Sequence, residues 1–361
     1  MDLFELRQQL SLLDTQLLEL IAQRQQIVAE IGRVKLEDGR STRDFKREKE
    51  VLDLALRTAA DIGIDPELAE QIMRLLIRSS LANQERDRVI AEGKGDGQRV
   101  LVIGGAGKMG GWFVGFFRSQ GFDVSVADPS CKEASGRFSD WRQAGLDYDV
   151  IVVAAPLAIS GEILAELAEL KPRGLVFDIG SLKSPLKDGL EKLRRAGCAV
   201  TSLHPMFGPD TRLLSGRHLI FVDVGDEEAT AKAKALFAST MVEGLDMNLD
   251  DHDRLIAYVL GLSHALNIVF FTALAESGEA APRLAQLSST TFDAQLMVAA
   301  NVARENPRLY FEIQNLNRFG MQPLQALRDA AERVHALVAN GDEQGFVEMM
   351  QQGREYLAQR Q

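Results

Sequence analysis

Cysteine is scarce in this sequence: Cys131 and Cys198 are the only two in 361 residues. They sit in unrelated contexts and match no metal-ligand spacing. A disulfide scaffold and a cysteine-based metal site are therefore excluded, and a reducing compartment is the expected setting. Basic residues are not in excess. The 41 Lys and Arg against 52 Asp and Glu leave a net charge of −11, a poor surface for nucleic-acid phosphates. Long apolar runs are missing: the longest, 150–159, is about ten residues, too short to span a bilayer. The start, MDLFELRQQL, is already an amphipathic helix with acidic residues rather than a basic region before an apolar run. No signal peptide is expected, and the cytoplasm is the expected location. No internal repeat or low-complexity tract is visible. Against these absences stand 46% hydrophobic and 26% charged residues, enough for sizeable cores, and a length that allows two or three domains at roughly 150 residues each.

The first 92 residues read as all-helical. Leu6, Leu10, Leu13, Leu17, Leu20, Ile27, Ile31 and Val34 step by threes and fours along a heptad seam. Arg24 occupies the seam position between Leu20 and Ile27. A guanidinium there costs several kcal/mol unless it is paired or binds an anion. Residues 39–42 break this helix. A second helix runs from about Asp44 to Ala60 with Gly63 as its stop, and Asp65 caps a third that has Pro66 at its first position and continues to about Arg88. Arg24 and Lys35, eleven residues apart, point the same way at a separation of roughly 16 Å. Arg7 lies roughly 26 Å before Arg24 on another face, so it serves either the surface or a site completed by a second chain. Asp44, Arg47 and Glu48 share one helical face, as do Ser80 and Gln84. The stretch 92–98 (EGKGDGQ) reads as a linker.

From residue 99 strands and helices alternate, with strands expected at 100–103, 124–127, 150–154, 175–178 and 199–203 and one more at 219–224. This is the pattern of a parallel, doubly wound sheet. Gly105, Gly107 and Gly110, with Lys108 and Met109 between the last two, form a G-x-G-x-x-G turn between the first strand and a helix. Asp128 ends the next strand. That context is the physical requirement for a dinucleotide: a tight turn, close approach of the pyrophosphate, close helix–strand packing, and an acceptor for the ribose. The charge on Asp128 disfavours a 2′-phosphate, so NAD is expected rather than NADP. His204, in LHPMFGPD, ends a predicted strand, where ligands of open α/β sheets bind and where an imidazole can serve as a base. Ser181, in DIGSLK, also follows a strand end. From about residue 250 the chain is helical and too apolar for a single solvent-facing helix, so it packs on itself, a partner, or both. His252 and His264 fall there, about 120° apart around one helix. The expected domains are 1–92, 98–248 and 249–361.

Taken together, these residues resemble the bifunctional chorismate mutase/prephenate dehydrogenases of tyrosine biosynthesis over nearly the full chain. The resemblance implies an α/β plus all-α architecture: an N-terminal helical mutase domain that forms an intertwined dimer, a central Rossmann-like NAD domain, and a C-terminal helical domain for substrate and dimerisation. Arg7, Arg24, Lys35, Asp44, Arg47, Glu48, Ser80 and Gln84 fall at the mutase positions of that family, with Arg7 reaching the site of the partner chain. By resemblance, Arg7 and Arg24 grip the carboxylates of chorismate, Lys35 and Gln84 donate to its ether oxygen, Glu48 orients the ring hydroxyl, and Asp44, Arg47 and Ser80 complete the shell. Gln84 stands where related enzymes can carry Glu. Glycine loop, Ser181, His204, His252, His264 and the segment NPRLY align with prephenate dehydrogenase. His204 is implied as the proton acceptor, Ser181 as its orienting partner, and His264 as a substrate contact. The arginine that binds the ring carboxylate in that family falls on Asn301 here, with Arg304 one turn further on. The expected ligands are chorismate, prephenate and NAD, with a homodimer as the assembly and neither nucleic acid nor membrane as a partner. Two competing readings are the same reactions on 4-amino-4-deoxychorismate and its prephenate, and a dehydrogenase whose helical N-terminus only dimerises.

Overall fold

The computed structural model describes residues 2–287 and 289–359. Three helices come first: α1 (Leu3–Glu37), α2 (Phe45–Ile62) and α3 (Pro66–Ala91). Their ends are set by local chemistry. Asp2 and Glu5 close a capping box on α1. Asp44 caps α2 by accepting from the Arg47 amide at 3.0 Å, and Gly63 closes it at φ +75°. Asp65 caps α3 with Pro66 at its first position, as the sequence predicts. Both α1 and α2 pack on α3. The seam of α1 is uncovered within the chain. Leu6, Leu10, Leu13, Leu17, Leu20, Ile27, Ile31 and Val34 are 46–63% exposed, and no residue of the helix is buried.

The linker read at 92–98 is irregular chain that lies against the residues after α4. Gly95 N donates to Gln120 O at 2.9 Å and Gly97 N to Gly121 O at 3.3 Å. A Cβ at Gly95 would lie 2.3 Å from the Phe122 amide nitrogen, so glycine lets this segment lie directly on the chain after it.

The sheet has eight strands: β1 (Arg99–Ile103), β2 (Asp123–Ala127), β3 (Arg137–Phe138), β4 (Val150–Val153), β5 (Leu175–Asp178), β6 (Val200–Pro205), β7 (His218–Asp223) and β8 (Glu243–Asn248). Their order is β3-β2-β1-β4-β5-β6-β7-β8, parallel from β3 through β6, with β6 and β7 antiparallel. The expected all-parallel sheet is thus mixed at this edge. Two strands are additions: β3 is only two residues long, and β8 (EGLDMN) has no apolar alternation to betray it. The order reverses between β1 and β4, the switch point at whose carboxyl ends ligands of such sheets bind. The interleaved helices are α4 (Lys108–Ser119), α5 (Leu157–Leu170), α6 (Lys187–Arg195) and α7 (Glu227–Ala235). An aromatic core of Phe113, Phe116, Phe117, Phe177, Phe221 and Phe237 packs α4 and α7 on the sheet.

The rest is helical: α8 (Leu249–Ile256), a π-helical turn at Ala257–Leu262, α9 (Ser263–Glu276), α10 (Ala281–Gln286), α11 (Thr290–Ala303), α12 (Pro307–Asn315), α13 (Met321–Ala339) and α14 (Glu343–Ala358). Leu249–Glu276 is the one helical run among the described residues long and apolar enough to cross a membrane. Counting only uninterrupted apolar residues misses it, because Asp250, Asp251, Asp253 and Arg254 sit in its first turns. By contacts the chain divides into two compact units. One comprises Met1–Ala155, Glu166–Ile179 and Lys192–Asp246, the other Pro156–Ala165, Gly180–Glu191 and Met247–Gln361.

Candidate active sites

In the helical N-terminal domain, Arg24 is half-buried. Its Nη1 donates to Ser80 Oγ at 2.8 Å and to Leu76 O at 3.4 Å. Burial lowers its pKa from the ordinary arginine value, and among the described residues no carboxylate pairs with it. Lys35 Nζ donates to Thr42 O at 2.8 Å, which leaves its other two protons available. Lys35 and Gln84 line one cavity of about 330 Å³ together with Gly32, Arg40, Thr42 and Arg88. Gly32 is needed there: a Cβ would lie 2.9 Å from Gln84 Cγ. Gln84 Nε2 reaches Val28 O only at 3.5 Å, and its buried Oε1 has no hydrogen-bond partner among the described residues.

The other predicted mutase residues are disposed differently. Arg7 is exposed on the free part of α1. Asp44 is spent on capping α2, and exposed Arg47 pairs with Glu50 at 3.1 Å. Glu48 lines a second cavity of about 550 Å³. Arg43 holds both its carboxylate oxygens, at 2.9 and 3.0 Å, and also donates to Ser215 Oγ at 2.8 Å. Nothing in the sequence around Arg43 signals these contacts, because its partners lie five and 172 residues away.

The dinucleotide turn fits its ligand by what each glycine admits. Gly104, outside the G-x-G-x-x-G count, takes the positive φ of +82°. A Cβ on Gly105 would meet Val126 Cγ1 at 2.8 Å, and one on Gly110 would come 2.2 Å from Gly104 O. Gly107 is the N-cap of α4 and supplies no side-chain cap, so the first amides face outward for phosphate. Lys108 opens α4 exposed, and Met109 packs on the core. Asp128 follows β2, half-buried, with Oδ1 accepting from Ser130 N and Oγ at 2.9 and 2.6 Å. This cradle suits the adenosine half of NAD. Gly110→Ala is therefore expected to raise the KM for NAD by an order of magnitude or more, with chorismate turnover unaltered. Steady-state kinetics at varied NAD check it, and an unchanged KM would place the cofactor elsewhere.

His204 lies within β6 rather than just beyond it, buried, opposite Ile220 of β7. Ser181 Oγ is buried without a hydrogen-bond partner among the described residues. The segment after Ser181 is tied to α8. Asp253 accepts from His252 Nδ1 at 2.7 Å, from Lys183 N at 2.8 Å, and from both the amide and hydroxyl of Ser184. Burial alone would raise the Asp253 carboxyl, but these hydrogen bonds outweigh it and hold the pKa below the usual range. His264 stacks on Tyr310 of the NPRLY segment at 4.1 Å between ring centroids, and burial lowers its pKa. Asn301 and Arg304 are both exposed at the end of α11. Among the described residues no group of His, Cys, Asp and Glu is arranged to hold a metal.

Three family models match the chain: chorismate mutase type II over residues 6–85, the prephenate dehydrogenase nucleotide-binding domain over 131–243, and the prephenate dehydrogenase dimerization domain over 248–352. The T-protein of Enterobacter agglomerans is 27% identical over 353 residues, 96% of this chain and 90% of that protein. The 4-amino-4-deoxyprephenate dehydrogenase of Streptomyces pristinaespiralis is 28% identical over 275 residues, 72% of this chain and 92% of that one. In fold, the chain is similar to the crystal structure of prephenate dehydrogenase from A. aeolicus in complex with hydroxyphenyl propionate and NAD+. The TM-score is 0.56 at 17% identity, covering 73% of this chain and 98% of that one. A type II mutase domain followed by both dehydrogenase domains, with the T-protein likeness running almost end to end, places this chain in the family of bifunctional, NAD-dependent chorismate mutase/prephenate dehydrogenases.

Proposed function

We propose that the residues above divide the two reactions as follows. The mutase reaction is a pericyclic rearrangement and needs no covalent help. The protein must hold chorismate, a flexible dianion, in its compact form and stabilise the charge that grows on the ether oxygen. Arg24, fixed by Ser80, takes one carboxylate, and Arg7 of a second copy takes the other. Lys35 and Gln84 donate to the ether oxygen. Glu48 orients the ring hydroxyl, and Asp44, Arg47 and Ser80 shape the surrounding shell. The observation that carries this reading is Arg24, a half-buried guanidinium that no carboxylate among the described residues pairs with, on the helix that also brings Lys35 to Gln84.

In the dehydrogenase reaction His204 accepts the proton of the ring hydroxyl, with Ser181 orienting it and His264 contacting the substrate. Gly105, Gly107, Lys108, Met109 and Gly110 hold the dinucleotide phosphates and Asp128 the ribose; bound NAD supplies the hydride acceptor. The ring carboxylate leaves as CO₂, and the aromatic product is 4-hydroxyphenylpyruvate. Aromatisation drives the step, so the protein positions, polarises and excludes water.

A second copy of the chain is the proposed cover for the apolar seam of α1, and for exposed Leu255, Tyr258, Val259, Leu266 and Val269 in the region matched to the dimerization domain. Two reduced cysteines and small, charged substrates fit a cytoplasmic dimer. The domain limits proposed are 1–92, 98–248 and 249–361. The amino-substituted substrates remain the second reading, favoured by Asn301 and by the Streptomyces relative's name. An amide replaces only part of a bidentate guanidinium contact, and Arg304 is the proposed substitute.

The deciding experiment gives the purified protein chorismate and NAD and follows NADH absorbance. NADH formation is the expected result. Loss of chorismate without NADH would transfer the dehydrogenase reading to the amino analogue, tested next in the same assay. Intact chorismate would overturn the mutase assignment.

A further inference from the structure

The helical N-terminal domain sends a carboxylate into the dinucleotide domain. Glu85, on α3 beside Gln84, is 4% exposed. One of its oxygens accepts from the Leu214 amide at 2.7 Å and the other from the Met241 amide at 2.5 Å. Burial pushes its carboxyl up, and the two amide bonds offset part of that shift. A carboxylate taken this far out of water needs compensating donors, and here both come from backbone that belongs to another domain.

Leu214 lies in the segment 206–217, which leaves β6 two residues after His204 and returns as β7. The segment is fixed at several points. Phe207 packs on the Trp112 ring at 5.0 Å, and Trp112 Nε1 donates to Thr211 O at 3.1 Å; both contacts come from α4. Glu85 holds Leu214, and Arg43 holds Ser215 at 2.8 Å; both contacts come from the helical N-terminal domain. Met241, the other donor to Glu85, precedes β8, the strand beside β7. The segment that leads into β7 and the one that leads into β8 therefore both end on one side chain of α3.

We propose that Glu85 is a positioning residue for the dehydrogenase reaction, contributed by the mutase domain, which fixes segment 206–217 and through it the strand pair that carries His204. The proposal rests on the reading of His204 as the proton acceptor. It makes dehydrogenase turnover depend on a docked mutase domain without any shared substrate contact. A purely structural tie would lower stability and leave turnover alone, so the two roles separate in kinetics.

The test uses the full chain with E85A, E85Q and, as control, H204N. Turnover of prephenate with NAD is measured beside chorismate turnover without NAD. E85A is expected to lower the dehydrogenase kcat about tenfold or more, since small misplacements of a reacting group carry penalties of that order. The KM for NAD, set at the glycine turn, is expected to stay within about twofold, and chorismate turnover within about threefold. E85Q keeps one acceptor oxygen and is expected to fall between wild type and E85A. Dehydrogenase kcat within about twofold of wild type, however far Tm drops, overturns the proposal. A proportionate loss of both activities overturns it too, as global damage. If E85A does not fold, E85Q is judged by the same criteria. A wild-type rate in H204N would remove the His204 reading while the Glu85 result is still decided by its own kcat.

Discussion

His204→Asn is expected to slow NAD-dependent oxidation of prephenate by about 10²–10⁴-fold, the contribution of a well-placed general base, and to leave chorismate rearrangement untouched. The carboxyl end of β6 is where an open sheet exposes ligand-binding residues, and His204 is held there by antiparallel pairing with Ile220 of β7, two residues beyond the last pair with β5 at Ser202. Asparagine keeps a similar size and one hydrogen bond but cannot accept the proton. The shape of the loss is diagnostic. An imidazole must be neutral to act as a base, so wild-type kcat should fall on the acidic side, and the variant should lose that limb along with most of its rate. The KM for NAD should not move, because the cofactor cradle lies at Gly104–Gly110. A variant rate within about tenfold of wild type would sink the assignment and turn attention to His264, whose ring is stacked on Tyr310.

How much of this was legible from residues alone depended on the range of the interactions involved. The three N-terminal helices were readable to within a residue or two at their starts, because Asp44, Gly63, Asp65 and Pro66 act on their own neighbours. The cofactor turn was readable for the same reason, yet the residue in the left-handed region is Gly104. Its requirement comes from the backbone of Ala154, fifty residues on, which a Cβ would meet at 2.5 Å. Arg24 announced itself as a cation in an apolar seam, and Ser80 is the partner it acquires. Arg43 and Glu85 gave no such signal. Arg43 sits just before the cap of α2 and Glu85 lies on α3, and a lone charge in either place looks like solvated surface until the chain 172 and 129 residues later returns to meet it, at Ser215 and Leu214. In the linker 92–98 the glycines also serve close backbone contact, which their spacing does not reveal. The apolar seam of α1 is legible in the spacing, but which surface covers it is a property of the assembly and is not encoded there.

In the mutase domain the largest loss is expected from Lys35→Ala, about 10²–10³-fold in kcat/KM for chorismate, the usual penalty for removing one donor to a developing oxyanion. Lys35 is anchored by Thr42 O and faces the same cavity as Gln84, so it can keep two protons for the substrate. Gln84 offers the second donor as a neutral amide, which carries its protons at any pH between 5 and 9. That predicts a mutase rate with little dependence on pH across neutrality. Replacing the amide tests this from the other side. In Gln84→Glu the side chain can donate only when protonated, so activity should survive in acid and fall steeply as the pH rises through that carboxyl's titration. The same replacement leaves Lys35 and Arg24 in place, so the acid-limb rate should approach wild type rather than the K35A level. A Gln84→Glu enzyme with a flat profile would mean that Gln84 does not donate to the ether oxygen, and Lys35 would then be the sole donor. A wild-type profile that itself collapses above neutrality would contradict the amide's role directly, and the titrating group would have to be sought among the other residues of the cavity that Lys35 lines.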